Sequence, residues 1–129
     1  SREDWVQAAD SSILYPKYPW EGKGSEGASI AQKGDKLYMF YAGSYNNAPQ
    51  QIGVAESTDG IVWKRLSDEP FVRNGKPGEW NSSESGHPHI FTDVDGRTYL
   101  FYQGNNDNGK TWYITQNEVI WRDGKPGLQ

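Results

Sequence analysis

The sequence contains no cysteine, which excludes disulfides and thiolate metal sites but leaves the compartment open. It has no run of about 18 apolar residues, so no membrane-spanning helix is predicted. The net charge of -4 comes with no basic patch, and neither a nucleic-acid groove nor contact with an anionic membrane is expected. Apolar residues at helical spacing are missing as well, which argues against helices. The first residues, Ser1-Arg2-Glu3-Asp4-Trp5, carry neither an initiator methionine nor a signal peptide. A processed or excised piece is therefore expected, and no localisation is assigned.

Hydrophobic residues make up only 34% of the chain, with a single Met, yet aromatics reach 14%, with Trp 6 and Tyr 8. Large rings must therefore do much of the packing. Gly 15 and Pro 7 punctuate short strands and turns. The 129 residues are enough for one ordinary domain.

An internal repeat organises the chain. Leu37-Tyr38-Met39-Phe40-Tyr41-Ala42-Gly43 returns about 60 residues later as Thr98-Tyr99-Leu100-Phe101-Tyr102-Gln103-Gly104. Ile61-Val62-Trp63-Lys64 returns as Val119-Ile120-Trp121-Arg122, Trp5-Val6 forms an earlier echo, and Trp20 matches Trp80. Within the first unit, strands are predicted near 29–32, 36–42, 51–56 and 61–66. A tight link at Asp35-Lys36 after Gly34 and a turn at Asp59-Gly60 are predicted, with Asp95-Gly96 as the first turn of the second unit. The second strand is apolar on both faces, as a sheet between neighbouring sheets requires.

Four-stranded antiparallel meanders in tandem describe β-propeller blades. The fold class expected is all-β: two blades plus an extra N-terminal strand at Trp5. On this reading residues 1–22 hold the outer strand and loop of an incomplete preceding unit, 23–68 the first blade, 69–84 a linker and 85–129 the second blade. Propellers close with about four to eight blades, so two blades leave an apolar face open at each end. Completion by self-association into a homo-oligomer is expected, with a segment of a longer polypeptide or an irregular use of the N-terminal strand as the other accounts.

Ser25-Glu26-Gly27-Ala28-Ser29-Ile30, the aromatic strand from Lys36 through Pro49, and Ile52-Gly53-Val54-Ala55-Glu56-Ser57 together resemble the fourth-blade region of family-43 glycoside hydrolases. That group comprises five-bladed propeller arabinanases, xylosidases and fructosidases. Ser85-Gly86-His87-Pro88-His89-Ile90-Phe91 is similar to the family's Gly-His segment in the following blade. The chain departs from the pattern at Ala28, where the family usually has Pro.

The resemblance implies that Glu26 is a general acid, and glycoside cleavage does need a carboxylic acid to protonate the leaving oxygen. A place at the mouth of an inner strand beside Trp20 would suit that role, and an ordinary surface Glu is the plain alternative. The family takes its second carboxylate from earlier blades, which have no counterpart here. Glu84, Asp10 and Asp93 are the internal substitutes, with a solvated loop acid the plainer account of Glu84. The resemblance also implies that His87 stands near the propeller axis and holds a calcium or other ion together with water, though no cofactor is required; a cleft histidine bonded to backbone or water is the equal alternative. A zinc pair of His87 with His89 is not expected, the two being read as diverging around Pro88. Trp20, Trp80, Tyr45 and Trp112 are candidate platforms for sugar rings, with Asn46, Asn47, Asn105 and Asn106 as hydrogen-bonding partners for hydroxyls. Trp63 and Trp121 are assigned to packing between blades.

The expected function is a glycoside-hydrolase-like carbohydrate site, for arabinofuranosides or xylosides, incomplete in a single chain. A non-catalytic, lectin-like assembly of two-bladed subunits and an inactive remnant are the alternatives.

Overall fold

A computed structural model describes residues 4–45 and 48–129. Its strands are β1 (Ser25–Lys33), β2 (Lys36–Tyr45), β3 (Ala48–Ser57), β4 (Lys64–Arg65), β5 (Glu84–Thr92), β6 (Thr98–Asn105), β7 (Tyr113–Arg122) and β8 (Lys125–Leu128). They form two antiparallel sheets in sequence order, β1-β2-β3-β4 and β5-β6-β7-β8. The all-β, two-meander reading therefore holds, with β1 and β3 starting earlier and β2 ending later than predicted. No helix among the described residues is long and apolar enough to cross a membrane.

The turns follow their residues. Gly34, at φ +63, is the first of two residues linking β1 to β2, a position where Cβ would be strained. Asp123 and Gly124 both have positive φ and close the β7–β8 hairpin, the Asp-Gly pair suiting a tight two-residue turn.

Three expectations about individual segments need correction. Residues 61–63 are not strand, because the Asp59 carboxylate accepts the Ile61 and Val62 N–H groups that a ladder would use. Those same donors hold the Asp59 carboxyl below its ordinary range. The outer strand thus shrinks to Lys64–Arg65. Trp121 is not the structural counterpart of Trp63: it lies on β7, a third strand, whereas Trp63 precedes β4. Nor does Trp5-Val6 form a strand. Residues 4–18 join no sheet, and Trp5 is 88% exposed.

The two sheets stack face to face. Tyr38, Phe40, Ile52 and Val54 of the first bury against Ile90, Leu100, Tyr102 and Val119 of the second. Trp121 meets Tyr38 edge to face at 5.0 Å between ring centres, so it packs between the sheets as anticipated. Trp63 lies on the far side of the first sheet, with Met39, Tyr41 and Ala55.

That far side is covered by the chain itself. Leu14 and Trp20 pack over Met39 and Tyr41, so the first sheet is not left open as the two-blade argument expected. A fully buried acid fixes this cover. Glu21 Oε1 accepts from Tyr41 Oη and Arg65 Nε, each at 2.6 Å, while Oε2 accepts from the Lys17 and Tyr18 N–H groups and from Arg65 Nη2. Burial alone would push the Glu21 carboxyl up, but these bonds outweigh it and hold it below its ordinary value. Burial and the adjacent carboxylate push the Tyr41 phenol up. The second sheet has no such cover: Phe91 and Ile114 on its outward face are 48% and 80% exposed.

A carboxyl held low in the folded state is protonated first in the unfolded chain. Its stabilisation is therefore full above the ordinary carboxyl value of 4.5 and is lost as pH falls through the lower folded value. Glu21→Gln is expected to cost about 3 kcal/mol by urea unfolding at pH 7, because it leaves the Arg65 charge uncompensated. It is also expected to flatten the acid limb of stability below pH ~4.5. Equal midpoints for variant and wild type at pH 7 would refute the pinning role.

Candidate functional site

The two inner strands, β1 and β5, begin side by side, and each starts with a β-bulge. In β1 the register slips between Glu26 and Ser29, and in β5 between Gly86 and His89. Glu26 pairs with Ala42 and Gly86 with Gln103, and Ala42 and Gln103 are counterparts in the repeat. Glu26 in the first sheet thus holds the place of Gly86 in the second, and Gly27 holds the place of His87. The backbone agrees, since Gly27 and His87 both adopt left-handed φ, +59 and +47. The bulge costs glycine nothing, whereas at His87 it stores strain of about 1 kcal/mol.

This exchange of Glu-Gly for Gly-His brings two functional groups together. His87 Nε2 stands 3.8 Å from Glu26 Oε1, with the His and Glu side chains 47% and 31% exposed. A Cβ on Gly27 would lie 3.4 Å from His87 Cα, so the missing side chain gives the histidine its room. The Glu26 carboxylate is also held by the buried Gln50 of β3, whose Nε2 donates to Oε1. Glu26 borders a cavity of about 220 Å³ with Ser12, Leu14 and Tyr41. His87 borders another of about 170 Å³ with His89, Phe101 and Ile114. Gln50 had no signal in the sequence, because a glutamine in a strand advertises nothing.

The other expected site residues are scattered. Trp20 does not flank Glu26. Its ring presses on Gly43 and Gly53, where an added Cβ would come within 2.6 Å of it, and its indole N–H donates to the Asp68 carbonyl. Gly43 pairs with Ser25, so Trp20 is on the opposite sheet face from the Glu26–Ala42 pair. Trp80 repeats the arrangement over Gly104, its ring tilted against Tyr102 at 5.9 Å between centres. Both rings are committed to packing. Tyr45 is exposed at the end of β2, and Trp112 is exposed before β7. Asn46 and Asn47 lie outside the described residues.

Glu84 is not a solvated loop acid. It opens β5 opposite Asn105 and is fully buried. Asp93 follows the far end of β5, away from Glu26, and Asp10 is exposed in the N-terminal segment. The groups that reach the Glu26 carboxylate are an amide and an imidazole. His87 and His89 do not diverge: the bulge breaks the regular alternation, and both line the same cavity. Among the described residues no three His, Asp or Glu side chains cluster to hold a metal ion. Calcium takes six to eight oxygen ligands, and among the described residues the His87 imidazole has one carboxylate beside it, that of Glu26.

The model of the family described as glycosyl hydrolases family 43 matches residues 2–126. The chain belongs to glycosyl hydrolase family 43. Its fold matches an endo-1,4-β-xylanase from Bacteroides thetaiotaomicron at a TM-score of 0.76 and 18% identity, covering 90% of this chain and 42% of that one. It also matches an α-L-arabinofuranosidase from Lactobacillus brevis at a TM-score of 0.72 and 19% identity, covering 89% and 40%. An α-L-arabinanase from Cellvibrio cellulosa matches at a TM-score of 0.66 and 16% identity, covering 83% and 37%. The two sheets are thus blades of a family-43 β-propeller, and the chain spans about two-fifths of the length of these structures. No curated protein matches it.

Strain at His87 gives a direct check on the bulge. His87→Gly is expected to keep or slightly raise the urea midpoint, whereas His87→Val, β-branched at positive φ, should lose about 1 to 2 kcal/mol. Equal stability of the two variants would show that the residue leaves the left-handed region in solution.

Proposed function

We propose that this chain supplies the acid half of a glycosidase site for arabinofuranosides or xylosides, with Glu26 as the general acid. The observation that carries the reading is the Glu26 carboxylate at the head of an inner blade strand, 3.8 Å from His87 on the neighbouring inner strand. Membership of family 43 supports a sugar as the ligand, and the matched xylanase and arabinofuranosidase suggest its class.

In this reading Glu26 gives its proton to the oxygen of the departing sugar or alcohol as the glycosidic bond breaks. Gln50 holds the carboxylate while it does so, with His87 close by. Hydrolysis also needs a second carboxylate to attack the anomeric carbon or activate water, and among the described residues no carboxylate is paired with Glu26. Without a positioned base the rate falls by a factor of about 10² to 10⁴, so the chain on its own binds sugar without turning it over.

A second reading is favoured by one observation. Tyr99, Phe101 and Ile114 recur on the outward face of the second sheet at the places where Tyr38, Phe40 and Ile52 bury in the first. A face patterned for burial suits a homo-oligomer in which further sheets stack on it, and a non-catalytic sugar-binding assembly would use the same contact. A discrete oligomer in light scattering that Phe101→Lys disperses would support it, and a wild-type monomer at 100 µM would end it.

The test of the main reading is a titration. Xylotriose or arabinotriose added to the ¹⁵N-labelled chain is expected to shift the amides of residues 25–28 and 86–89, and Glu26→Gln to weaken binding about tenfold. No release of nitrophenol from aryl arabinofuranoside or xyloside is expected from the chain alone. Turnover that survives Glu26→Gln, or sugar shifts confined to other residues, would overturn the assignment.

A further inference from the structure

We propose that Gln50 is the positioning residue for Glu26, and that Gly86 is glycine because Gln50 must lie across it. The inference rests on the reading of Glu26 as the general acid. Gln50 is fully buried on β3, and its Nε2 donates to Glu26 Oε1. Its own Oε1 has no hydrogen-bond partner among the described residues, an arrangement that packing alone does not favour. A leucine of similar size would fill the space without burying an unsatisfied acceptor.

The repeat shows that the fold does not require an amide here. Ile52 and Ile114 are counterparts, opposite Ala42 and Gln103, so Gln50 corresponds to Trp112, which is half exposed and apolar. The polar side chain is therefore particular to the sheet that carries Glu26. Across the sheet junction, a Cβ on Gly86 would lie 2.1 Å from Gln50 Oε1 and 3.1 Å from its Cβ and Cδ. Any side chain at 86 would push the amide off the carboxylate.

The chemical consequence is orientation. A carboxyl with one oxygen bound to an amide N–H is biased toward one orientation, and its other oxygen, Oε2, is left to carry the transferred proton. Loss of the amide frees the group to turn, and a proton donor out of line by an ångström transfers poorly.

The experiment uses the full chain. In ¹H–¹⁵N spectra the Gln50 side-chain amide is expected downfield and slow to exchange, and both features should vanish in Glu26→Ala and in Gly86→Ala. Gln50→Leu should keep the urea midpoint yet weaken xylotriose binding to the level of Glu26→Gln, a split that a packing role would not produce. Should Gly86→Ala fail to fold, the Gln50 signal in the partly exposed Glu26→Ala variant decides alone. A Gln50 amide unmoved by Glu26→Ala overturns the proposal. An amide that does respond, in a chain that ignores sugars, upholds the Gln50–Glu26 contact and removes only the sugar-site reading beneath it.

Discussion

The stacking of the two sheets through one aromatic seam is the contact on which everything else rests. Tyr38 and Phe40 project from β2 onto the face where Leu100 and Tyr102 project from β6, and Trp121 closes the lower end against Tyr38. Because the sheets are repeats, this contact aligns equivalent strands, and β1 and β5 start at the same level. Two residues far apart in sequence, Glu26 and His87, meet at the seam for that reason alone.

A sheet that is apolar on both sides must be covered on both sides. In the first sheet the second cover is an irregular segment, and irregular backbone packs well only when its polar groups are satisfied. Glu21 does this by accepting from two backbone N–H groups of the segment while bridging to Arg65 on β4 and Tyr41 on β2. One carboxylate thus links the cover to two strands, β2 and β4.

The repeat and the aromatic strand made the fold class legible, because two near-copies of a seven-residue run leave little freedom about what each strand does. Turns with Gly or Asp-Gly were legible for the same local reason. What failed was equivalence drawn from single tryptophans: Trp63 and Trp121 share neighbours in sequence but differ in strand, since the Asp59 carboxylate diverts the first segment into a turn. Trp20 and Trp80 were correctly paired with each other, yet their role depends on glycines on other strands, which no local pattern reveals. At the site, Glu26 and His87 were found through family likeness. Gln50 was not, since its significance lies in an empty space above Gly86 on another sheet. The burial of Glu84 was hidden for the same reason: sequence position placed it in a loop, and the ladder placed it under Asn105.

The bulge at the head of each inner strand has an implication for how such proteins diversify. It is a preset backbone socket, identical in both repeats, that accepts glycine freely and a histidine at small cost. A lineage built by duplicating the unit therefore starts with several copies of the same mount, and a new side chain can be tried in one copy while its glycine twin elsewhere keeps the clearance open. Chemistry can move from blade to blade without the architecture being rebuilt.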